Sequence, residues 1–274
     1  MSLYLTAGGW AARLLPEQGA AMARLTCDGR DVLAPVPDGA DPNTAMAGAF
    51  WMAPWTNRLD GGRVGALGTA PVNRPADGTA IHGFLRDQPW RVVSTTAQTA
   101  RLTVESMTAP LPCRAVLDVA LDHEGLSLML ALTNLGATAL PFGIGWHPWF
   151  VRTPSTHLAF TATHRFVRDS RNLPDAVEPT AGIDGGEAAL LGHDTHWSGW
   201  DGRARIDGFV LGATGAWAGN MQLYAPPHLP VLCVEPVSHV PDVLNRPRFA
   251  PYGAMDVLAP GDSMAGRITL LRAM

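Results

Sequence analysis

The fold class follows from one stretch of sequence, residues 115–132, which reads AVLDVAL, DHEG and LSLMLAL in turn. The two seven-residue runs are apolar, and the link between them is short, polar and ends in glycine. Two such runs joined by such a link are typical of a β-hairpin. The stretch therefore predicts two adjacent antiparallel strands.

The same kind of pattern extends along the chain, in short runs separated by glycine and proline. These further strand-like runs are Arg91 to Thr96, Arg101 to Met107, His157 to Phe160, Arg203 to Leu211, Met221 to Tyr224, Val231 to Glu235 and Ile268 to Leu271. Sustained helical periodicity is missing, and we expect at most one helical turn near residues 241–245. Residues 35–43 and 171–186 are typical of loops.

Many short strands without alternating helices predict an all-β fold, a large and mostly antiparallel β-sandwich. Strand-like sequence of one character continues on both sides of each loop, so residues 1–274 are predicted to form a single domain. The composition agrees: 29 Gly and 23 Pro in 274 residues indicate many turns. A hydrophobic fraction of 47% is enough for one large core.

The basic residues exclude several classes of enzyme. All 20 are arginine, and the chain has no lysine. Schiff-base aldolases, pyridoxal-phosphate enzymes and P-loop hydrolases each require a lysine at their centre. A net charge of -4 with scattered arginines also predicts no nucleic-acid partner.

Cysteine usage and the N-terminus indicate the compartment. Three widely spaced cysteines, Cys27, Cys113 and Cys233, fit buried thiols in a reducing environment better than a disulfide framework. The N-terminal MSLYLTAGGW lacks the features of a signal peptide, and the longest apolar runs are too short to span a bilayer. We expect a cytoplasmic protein without a membrane partner.

Residue types suited to catalysis concentrate in four short segments. They are Pro54 to Arg58, Ile81 to Phe84 followed by Arg86 and Trp90, Gly143 to Phe150, and Val231 to Pro236 followed by Asn245.

Two of these segments carry groups that could transfer protons. Glu235 ends an apolar run, where loss of solvation raises the basicity of a carboxylate. His147 lies among Trp146, Trp149 and Phe150, and aromatic rings beside polar groups suit sugar binding. The alternatives are a structural glutamate paired with an arginine and aromatic rings of an ordinary core.

The remaining candidates also have structural alternatives. His82 before Gly83 is compatible with a turn histidine, and Arg58 with a surface pair to Asp60. His193 and His196 form an H-D-x-H cluster, but on a strand their spacing directs the rings to opposite faces. We therefore predict no metal site.

The order of these motifs resembles the aldose 1-epimerase (galactose mutarotase) family. The motifs are Asn57-Arg58, His82-Gly83-Phe84, Gly145 to Phe150, Val234-Glu235-Pro236 with Pro241-Asp242 and Asn245, and the closing Leu258 to Asp262. The resemblance runs from about Gly19 to the last strand. It implies a galactose mutarotase-like β-sandwich with an open sugar cleft, and cofactor-free interconversion of the α and β anomers of a hexose.

Site residues follow from the resemblance position by position. It implies that Glu235 is the general base, His147 the general acid and His82 a second active-site histidine. Arg58 and Asn57 are implied to contact the sugar, as are Trp146 and Asp194. Asp201 is a rival for the position of Asp194.

Two positions depart from the family pattern: Trp149 is present where Tyr or Phe is usual, and Pro236 follows Glu235 where Thr-Gln is typical. The second departure indicates a divergent bacterial branch.

The chemistry requires removal of a proton from the anomeric hydroxyl and delivery of another to the ring oxygen. A carboxylate and an imidazole on opposite sides of C1 could do this. The usual histidine pKa of about 6.5 suits the acid, and desolvation would make Glu235 a better base.

Three other functions stay open. A hexose-6-phosphate 1-epimerase would need arginines at the rim, with Arg58, Arg86 and Arg246 as candidates. A non-catalytic carbohydrate-binding protein would use the same fold without the acid–base pair. A glycan hydrolase or lyase is a weaker alternative, since a hydrolase is expected to carry two carboxylates at the scissile bond.

Overall fold

The computed structural model describes residues 2–273, which are built almost wholly from short β-strands. In chain order the strands are β1 Leu3–Ala7, β2 Trp10–Leu15, β3 Ala21–Cys27, β4 Arg30–Asp31, β5 Ala49–Met52, β6 Arg58–Asp60, β7 Thr79–Ile81, β8 Arg91–Thr95, β9 Thr99–Ser106, β10 Cys113–Leu121, β11 Gly125–Asn134, β12 Leu140–Phe142 and β13 Gly145–Pro148. They continue as β14 Phe150–Val151, β15 Leu158–Phe160, β16 His164–Arg168, β17 Pro174–Pro179, β18 Ile183–Gly185, β19 Asp194–Ser198, β20 Arg203–Ile206, β21 Phe209–Gly215, β22 Asn220–Tyr224, β23 Val231–Val237, β24 Asp256–Leu258 and β25 Ser263–Arg272. Helical structure is limited, within the described chain, to α1 Glu187–Leu190 and two 3-10 helices, Leu85–Asp87 and Pro247–Tyr252.

Two large antiparallel sheets organise residues 2–273. The twelve-stranded sheet runs β1-β2-β3-β5-β13-β23-β22-β19-β16-β17, with β4 beside β3 and β14 beside β23. The nine-stranded sheet runs β18-β15-β20-β21-β25-β11-β10-β9-β8. The pairs β12-β24 and β6-β7 complete the architecture. This confirms the predicted all-β, antiparallel fold class.

The hairpin predicted for residues 115–132 is confirmed. Strands β10 and β11 pair antiparallel from Cys113 opposite Asn134 to Leu121 opposite Leu126. In β10 every second residue is buried, as period-2 patterning requires. The turn closes because the Asp122 carboxylate accepts hydrogen bonds from the backbone N–H groups of Glu124 (2.7 Å) and Gly125 (2.9 Å).

One continuous core lies between the two large sheets. It joins Leu117 and Leu128 of the nine-stranded sheet to Trp51, Trp146 and Val234 of the twelve-stranded sheet. The opposite face of the central strands carries two small apolar clusters instead. These are Phe50, Met52 and Val237, and Trp149, Val231 and Cys233. We call this side of β5, β13, β23, β22 and β19 the cleft face.

Two local predictions were wrong and two are confirmed. Residues 203–211 form not one strand but β20 and β21, because Asp207 adopts a left-handed backbone and reverses the chain. Residues 171–186 are not only a loop: they contain β17 and β18, edge strands with few buried residues and hence little apolar signal. Residues 35–43 are free of strands, and residues 241–245 form the expected turn.

None of the helices in residues 2–273 has the length and apolar content needed to cross a lipid bilayer. Cys27, Cys113 and Cys233 are all buried free thiols.

Candidate active site

Neighbouring strands of the twelve-stranded sheet bring the candidate residues together on the cleft face. His147 of β13 lies opposite Phe50 of β5, and Glu235 of β23 lies opposite Gln222 of β22. Because side chains alternate along a strand, the neighbours of His147 and Glu235 point into the core, whereas these two point into the cleft. Residues far apart in sequence thus share one surface.

The cleft has a volume of about 380 Å³, within the range of small-molecule sites. It is lined by Asn43, Thr44, Met46, Phe50, Asn57, Arg58, Asn73, Arg74, Ile81, His82, Arg86, His147, Trp149, Asp194, Gln222, Tyr224 and Glu235. Aromatic rings and polar side chains therefore alternate around its wall, which suits a ligand with C–H faces and hydroxyl groups.

The His147 ring is held between two aromatic side chains. Its centroid lies 4.9 Å from Trp149, nearly parallel to it, and 4.5 Å from Phe50. Burial, and next the positive charge of Arg86, lower the pKa of His147 to about 3. The ring is therefore neutral in the empty cleft, contrary to the expected pKa near 6.5.

Glu235 meets His147 at the floor of the cleft. His147 Nε2 lies 3.3 Å from Glu235 Oε1, and the glutamate is only 1% exposed. Burial, reinforced by the negative charge of Asp194, raises the pKa of Glu235 well above its usual value, and Arg58 opposes this shift. The two groups therefore lie side by side. The sequence had led us to expect them on opposite sides of C1, and that expectation was wrong.

Several buried polar atoms of the cleft have no hydrogen-bond partner among residues 2–273. They are both carboxylate oxygens of Glu235, Nδ1 of His147, Nδ1 of His82, Nε1 of Trp149, Oδ1 of Asn43 and Nε of Arg86. Buried polar groups are almost always paired, because leaving one unpaired costs about 1–3 kcal/mol. Such a concentration is what a site built to bond a polar ligand would show.

A strained loop delivers His82 to the same place. His82 and Gly83 both have positive φ angles, 66° and 69°, and a Cβ on Gly83 would lie 1.9 Å from the Ala53 carbonyl oxygen. The His82 N–H donates to the Asn57 carbonyl (2.9 Å), and its ring centroid lies 5.2 Å from that of His147. His82 is therefore a turn histidine, as one interpretation of the sequence held, and its ring also lies in the candidate site, as the other held.

Arg58 and Asn57 lie in the cleft wall as predicted. Arg58 is buried and pairs with Asp77 (Nε to Oδ2, 3.2 Å), not with Asp60. Asn57 also adopts a left-handed backbone, and its side-chain oxygen accepts from the Arg58 N–H at 2.9 Å. The guanidinium is thereby fixed at the cleft surface.

Asp194 lines the cleft, whereas Asp201 does not. Asp194 forms an ion pair with Arg168 and accepts a hydrogen bond from Gln222 Nε2 at 2.6 Å. Asp201 accepts from Thr161 at the exposed surface instead.

The prediction that Trp146 binds substrate was wrong. Trp146 is fully buried in the main core, on the opposite face of β13 from His147. One position along a strand reverses the side-chain direction, so two tryptophans flanking one histidine have different neighbours. Trp149, after the end of β13, lines the cleft instead.

Of the three arginines considered for a phosphate, Arg58 and Arg86 line the cleft and Arg246 does not. Arg246 pairs with the buried Asp242 (Nε to Oδ2, 3.0 Å). Asp242 also accepts from the Asp60 N–H at 2.9 Å and so anchors β6. The Pro241-Asp242 motif is thus structural support for Arg58.

Sequence reasoning missed Gln222, Phe50 and Arg74 as cleft residues. Strand register brings Phe50 and Gln222 to the site, whereas Arg74 lies before β7 and reaches the cleft wall where it pairs with Asp77. It also missed His239, whose Nε2 accepts the Thr56 N–H (3.0 Å) while Nδ1 contacts the Val240 carbonyl (2.8 Å). His239 therefore holds the loop that precedes Arg58.

Three side chains here have the types that a metal ion could use. The ligand atoms of His147, Cys233 and Glu235 all lie within 4.8 Å of one another. Burial is the main cause that raises the pKa of both Cys233 and Glu235, so a cation would have to displace two protons inside the sheet. The arrangement favours proton transfer by Glu235 and His147 over metal ligation.

The family description of aldose 1-epimerases matches residues 5–203, and the chain belongs to this family. It is 26% identical to the uncharacterized protein YphB of Escherichia coli K12, over 98% of both chains.

Solved structures show the same fold. A protein of E. coli K12 that is provisionally called an aldose 1-epimerase superposes with a TM-score of 0.87 at 23% identity, covering 99% of this chain and 98% of its own. A galactose mutarotase-like protein from Clostridium acetobutylicum gives 0.84 at 18% identity, covering 100% and 95%. At these identities the likeness concerns the fold alone.

Proposed function

We propose that the protein is a cofactor-independent aldose 1-epimerase, which interconverts the α and β anomers of a hexose by opening and closing the sugar ring. One observation carries the proposal. His147 Nε2 lies 3.3 Å from Glu235 Oε1 at the floor of the cleft, and both carboxylate oxygens have no hydrogen-bond partner within residues 2–273.

The reaction needs two proton transfers around one carbon. The carboxylate of Glu235 takes the proton of the O1 hydroxyl, C1–O1 becomes a carbonyl, and the C1–O5 bond breaks. O5 then takes a proton from the imidazolium of His147. Since O1 and O5 are both bonded to C1, two groups in contact with each other can reach both. Rotation about C1–C2 and the reverse steps give the other anomer.

The pair needs one shared proton to work. A raised pKa on Glu235 and a lowered pKa on His147 keep that proton on the carboxyl in the empty cleft. Hydroxyl groups of a bound sugar donate hydrogen bonds to the carboxylate, and such bonds favour its ionised form. Sugar binding therefore moves the proton to His147 and prepares the base and the acid together.

Other cleft residues bind the remaining hydroxyl groups in this proposal. His82 and Arg58 offer donors that face the cleft, and Asp194 offers an acceptor held by Gln222. The parallel Trp149 and His147 rings restrict rotation of the imidazole.

The geometry favours an enzyme over a simple binding protein. A binding site gains nothing from a buried carboxyl whose two oxygens are unpaired, because that arrangement costs stability. A hydrolase is less well supported, since Asp194, the other carboxylate of the cleft floor, is engaged by Arg168.

The test is anomer exchange followed by two-dimensional exchange NMR or polarimetry, with D-galactose and D-glucose. The wild-type protein should accelerate exchange above the spontaneous rate. Glu235→Gln should lose about 10²–10⁴-fold of this activity, because a neutral amide cannot accept the O1 proton.

A matched control replaces an exposed glutamate of the nine-stranded sheet, Glu105→Gln, which should keep full activity. Binding of the sugar to Glu235→Gln, measured by saturation-transfer NMR, should persist. Near-normal exchange by Glu235→Gln would reject the proposal.

A further inference from the structure

His196 is a buried imidazole that the proposed mechanism does not use. It is 2% exposed, and burial lowers the pKa of His196 to about 3, so the ring is neutral. Its Nε2 lies 3.0 Å from Asn220 Oδ1, and an amide oxygen only accepts, so Nε2 carries the ring proton. Nδ1 therefore bears a lone pair, and this atom has no hydrogen-bond partner within residues 2–273.

Strand register places His196 beside the residues of the cleft. His196 of β19 lies opposite Gln222 of β22, which in turn lies opposite Glu235 of β23. Asp194 is two positions before His196, so the two side chains leave β19 on the same side of the sheet. The Phe166 ring packs edge-on against the imidazole, with centroids 5.2 Å apart, and so helps to fix its orientation.

A second, much smaller cavity lies behind the cleft wall, and we call it the rear cavity. Its volume of about 10 Å³ is close to what one water molecule needs. Asn57, Arg58, Asp194 and Gln222 line both the cleft and the rear cavity, whereas His196 lines the rear cavity and not the cleft. Four side chains of the cleft wall thus separate the two spaces.

The residues around the rear cavity determine what it could hold. Arg58 and Arg168 both line it, and their positive charges disfavour a cation. The carboxylate of Asp194 and the lone pair on His196 Nδ1 disfavour an anion. A water molecule suits both kinds of neighbour, because it donates to an imidazole nitrogen and a carboxylate and accepts from a guanidinium. Buried waters typically make about three such bonds.

We propose that one water molecule occupies the rear cavity, where it donates to His196 Nδ1 and Asp194 and accepts from Arg58, and that His196 is a positioning residue for the cleft wall. The inference rests on the proposed function, because Arg58 and Asp194 are the residues assigned there to the sugar hydroxyl groups. Glu235 and His147 do not line the rear cavity. Loss of the water should therefore weaken sugar binding more than it slows proton transfer.

The water itself is tested by a crystal structure of the sugar-free protein, refined with its ordered waters. We expect one water within about 2.7–3.2 Å of His196 Nδ1, the range of a hydrogen bond. A dry cavity, or a direct hydrogen bond from Arg168 or another side chain to Nδ1, would overturn the proposal.

Two variants separate the two nitrogens of His196. In His196→Asn the side-chain amide can place an acceptor near the position of Nδ1 but not a donor to Asn220, and His196→Gln does the reverse. With D-galactose, His196→Gln should raise KM by about 3- to 10-fold, the effect of one lost hydrogen bond, with little change in kcat. His196→Asn should keep a KM close to that of the wild type.

The matched control is His123→Asn, which changes an exposed histidine in the turn between β10 and β11 and should leave KM and kcat unchanged. Urea unfolding of each variant measures stability separately from these constants. A histidine with only a structural role would lower stability without this split between Asn and Gln.

The outcomes separate this inference from the epimerase proposal. A KM raised in His196→Asn and kept in His196→Gln, equal KM values in both, or a loss of kcat alone would overturn the role of Nδ1 while the epimerase function stands. If the wild-type protein binds galactose without exchanging its anomers, the epimerase is rejected. The Kd of galactose by NMR titration and the crystal structure then decide the role of His196 by the same pattern.

Discussion

The two large sheets use their buried positions in different ways. In the nine-stranded sheet, β10 buries every second side chain, and those side chains are apolar, such as Leu117 and Val119. In the twelve-stranded sheet, β13 and β23 are buried on both faces. One face joins the core, and the other forms the cleft with His147 and Glu235.

This difference in buried positions shows which sheet face serves stability and which carries the candidate site. In β10 the charged side chains, Arg114 and Asp118, lie on the half-buried outer side, where solvent reaches them. The cleft face keeps a carboxyl and two imidazoles in a buried place without full pairing, which is unfavourable for folding. Such groups persist where the protein uses them, so the less stable face identifies the site.

The largest expected effect concerns the pair on the cleft face. Glu235→Gln and His147→Asn should each lower kcat for anomer exchange by about 10²–10⁴-fold. The double variant should lose about as much as the stronger single one, because the two groups share one proton. Exchange NMR on all three variants measures this. Losses that multiply would mean that the groups act independently.

The two faces of β13 can be compared by matched substitutions. Trp146→Ala should lower the free energy of unfolding by about 3–5 kcal/mol, since Trp146 is in the main core. In its folded state this variant should keep the wild-type KM.

Trp149→Ala should instead lower kcat/KM by about 2- to 10-fold through loss of stacking on His147. Urea unfolding and steady-state exchange kinetics test both variants. A raised KM in Trp146→Ala, together with unchanged kinetics in Trp149→Ala, would show that Trp146 and not Trp149 contacts the sugar.

A substitution in the nine-stranded sheet should affect stability alone. Leu117→Ala removes a fully buried side chain of β10 and should cost about 2–5 kcal/mol in urea unfolding. Val116→Ala, one position away on the half-buried outer side, should cost less. Equal costs for the two would contradict the alternation that defines this sheet.

A pH-dependent effect concerns a buried histidine that supports the site. Burial lowers the pKa of His239 to about 4. Below pH 6.5 the unfolded chain takes up a proton at His239 and the folded protein does not, so stability falls as pH falls, until about pH 4. The slope is about 1.4 kcal/mol per pH unit for this group.

The variant His239→Gln removes this contribution and should reduce the slope of unfolding free energy against pH between 6.5 and 4 by that amount, while the shares of His147 and His196, whose pKa values burial lowers to about 3, remain. Urea unfolding at several pH values measures it. An unchanged slope would show that His239 titrates equally in both states.

The hairpin of residues 115–132 was predicted correctly because two apolar runs flank a short polar link that ends in glycine, which is a local signal. The edge strands β17 and β18 were missed because an edge strand buries too little apolar surface to create a pattern.

The site was predicted only as far as motif order allowed. Glu235, His147, His82, Arg58, Asn57 and Asp194 all lie in the cleft wall, but their roles remain proposals. Trp146 was assigned to the cleft because composition does not reveal on which side of a fully buried strand a residue lies. The contact between His147 and Glu235 depends on the order β5-β13-β23-β22, which pattern reading along one chain does not determine.

The pH profile of kcat/KM for anomer exchange tests the shared proton of Glu235 and His147 most directly. Because burial lowers the pKa of His147 to about 3, the pair of Glu235 and His147 takes up no second proton between pH 7 and pH 5. Activity should therefore stay level as pH falls from 7 to 5, and it should fall at high pH, where Glu235 loses the proton that its raised pKa retains. A loss of kcat/KM as pH falls through 6.5, the titration of an ordinary histidine, would contradict the account.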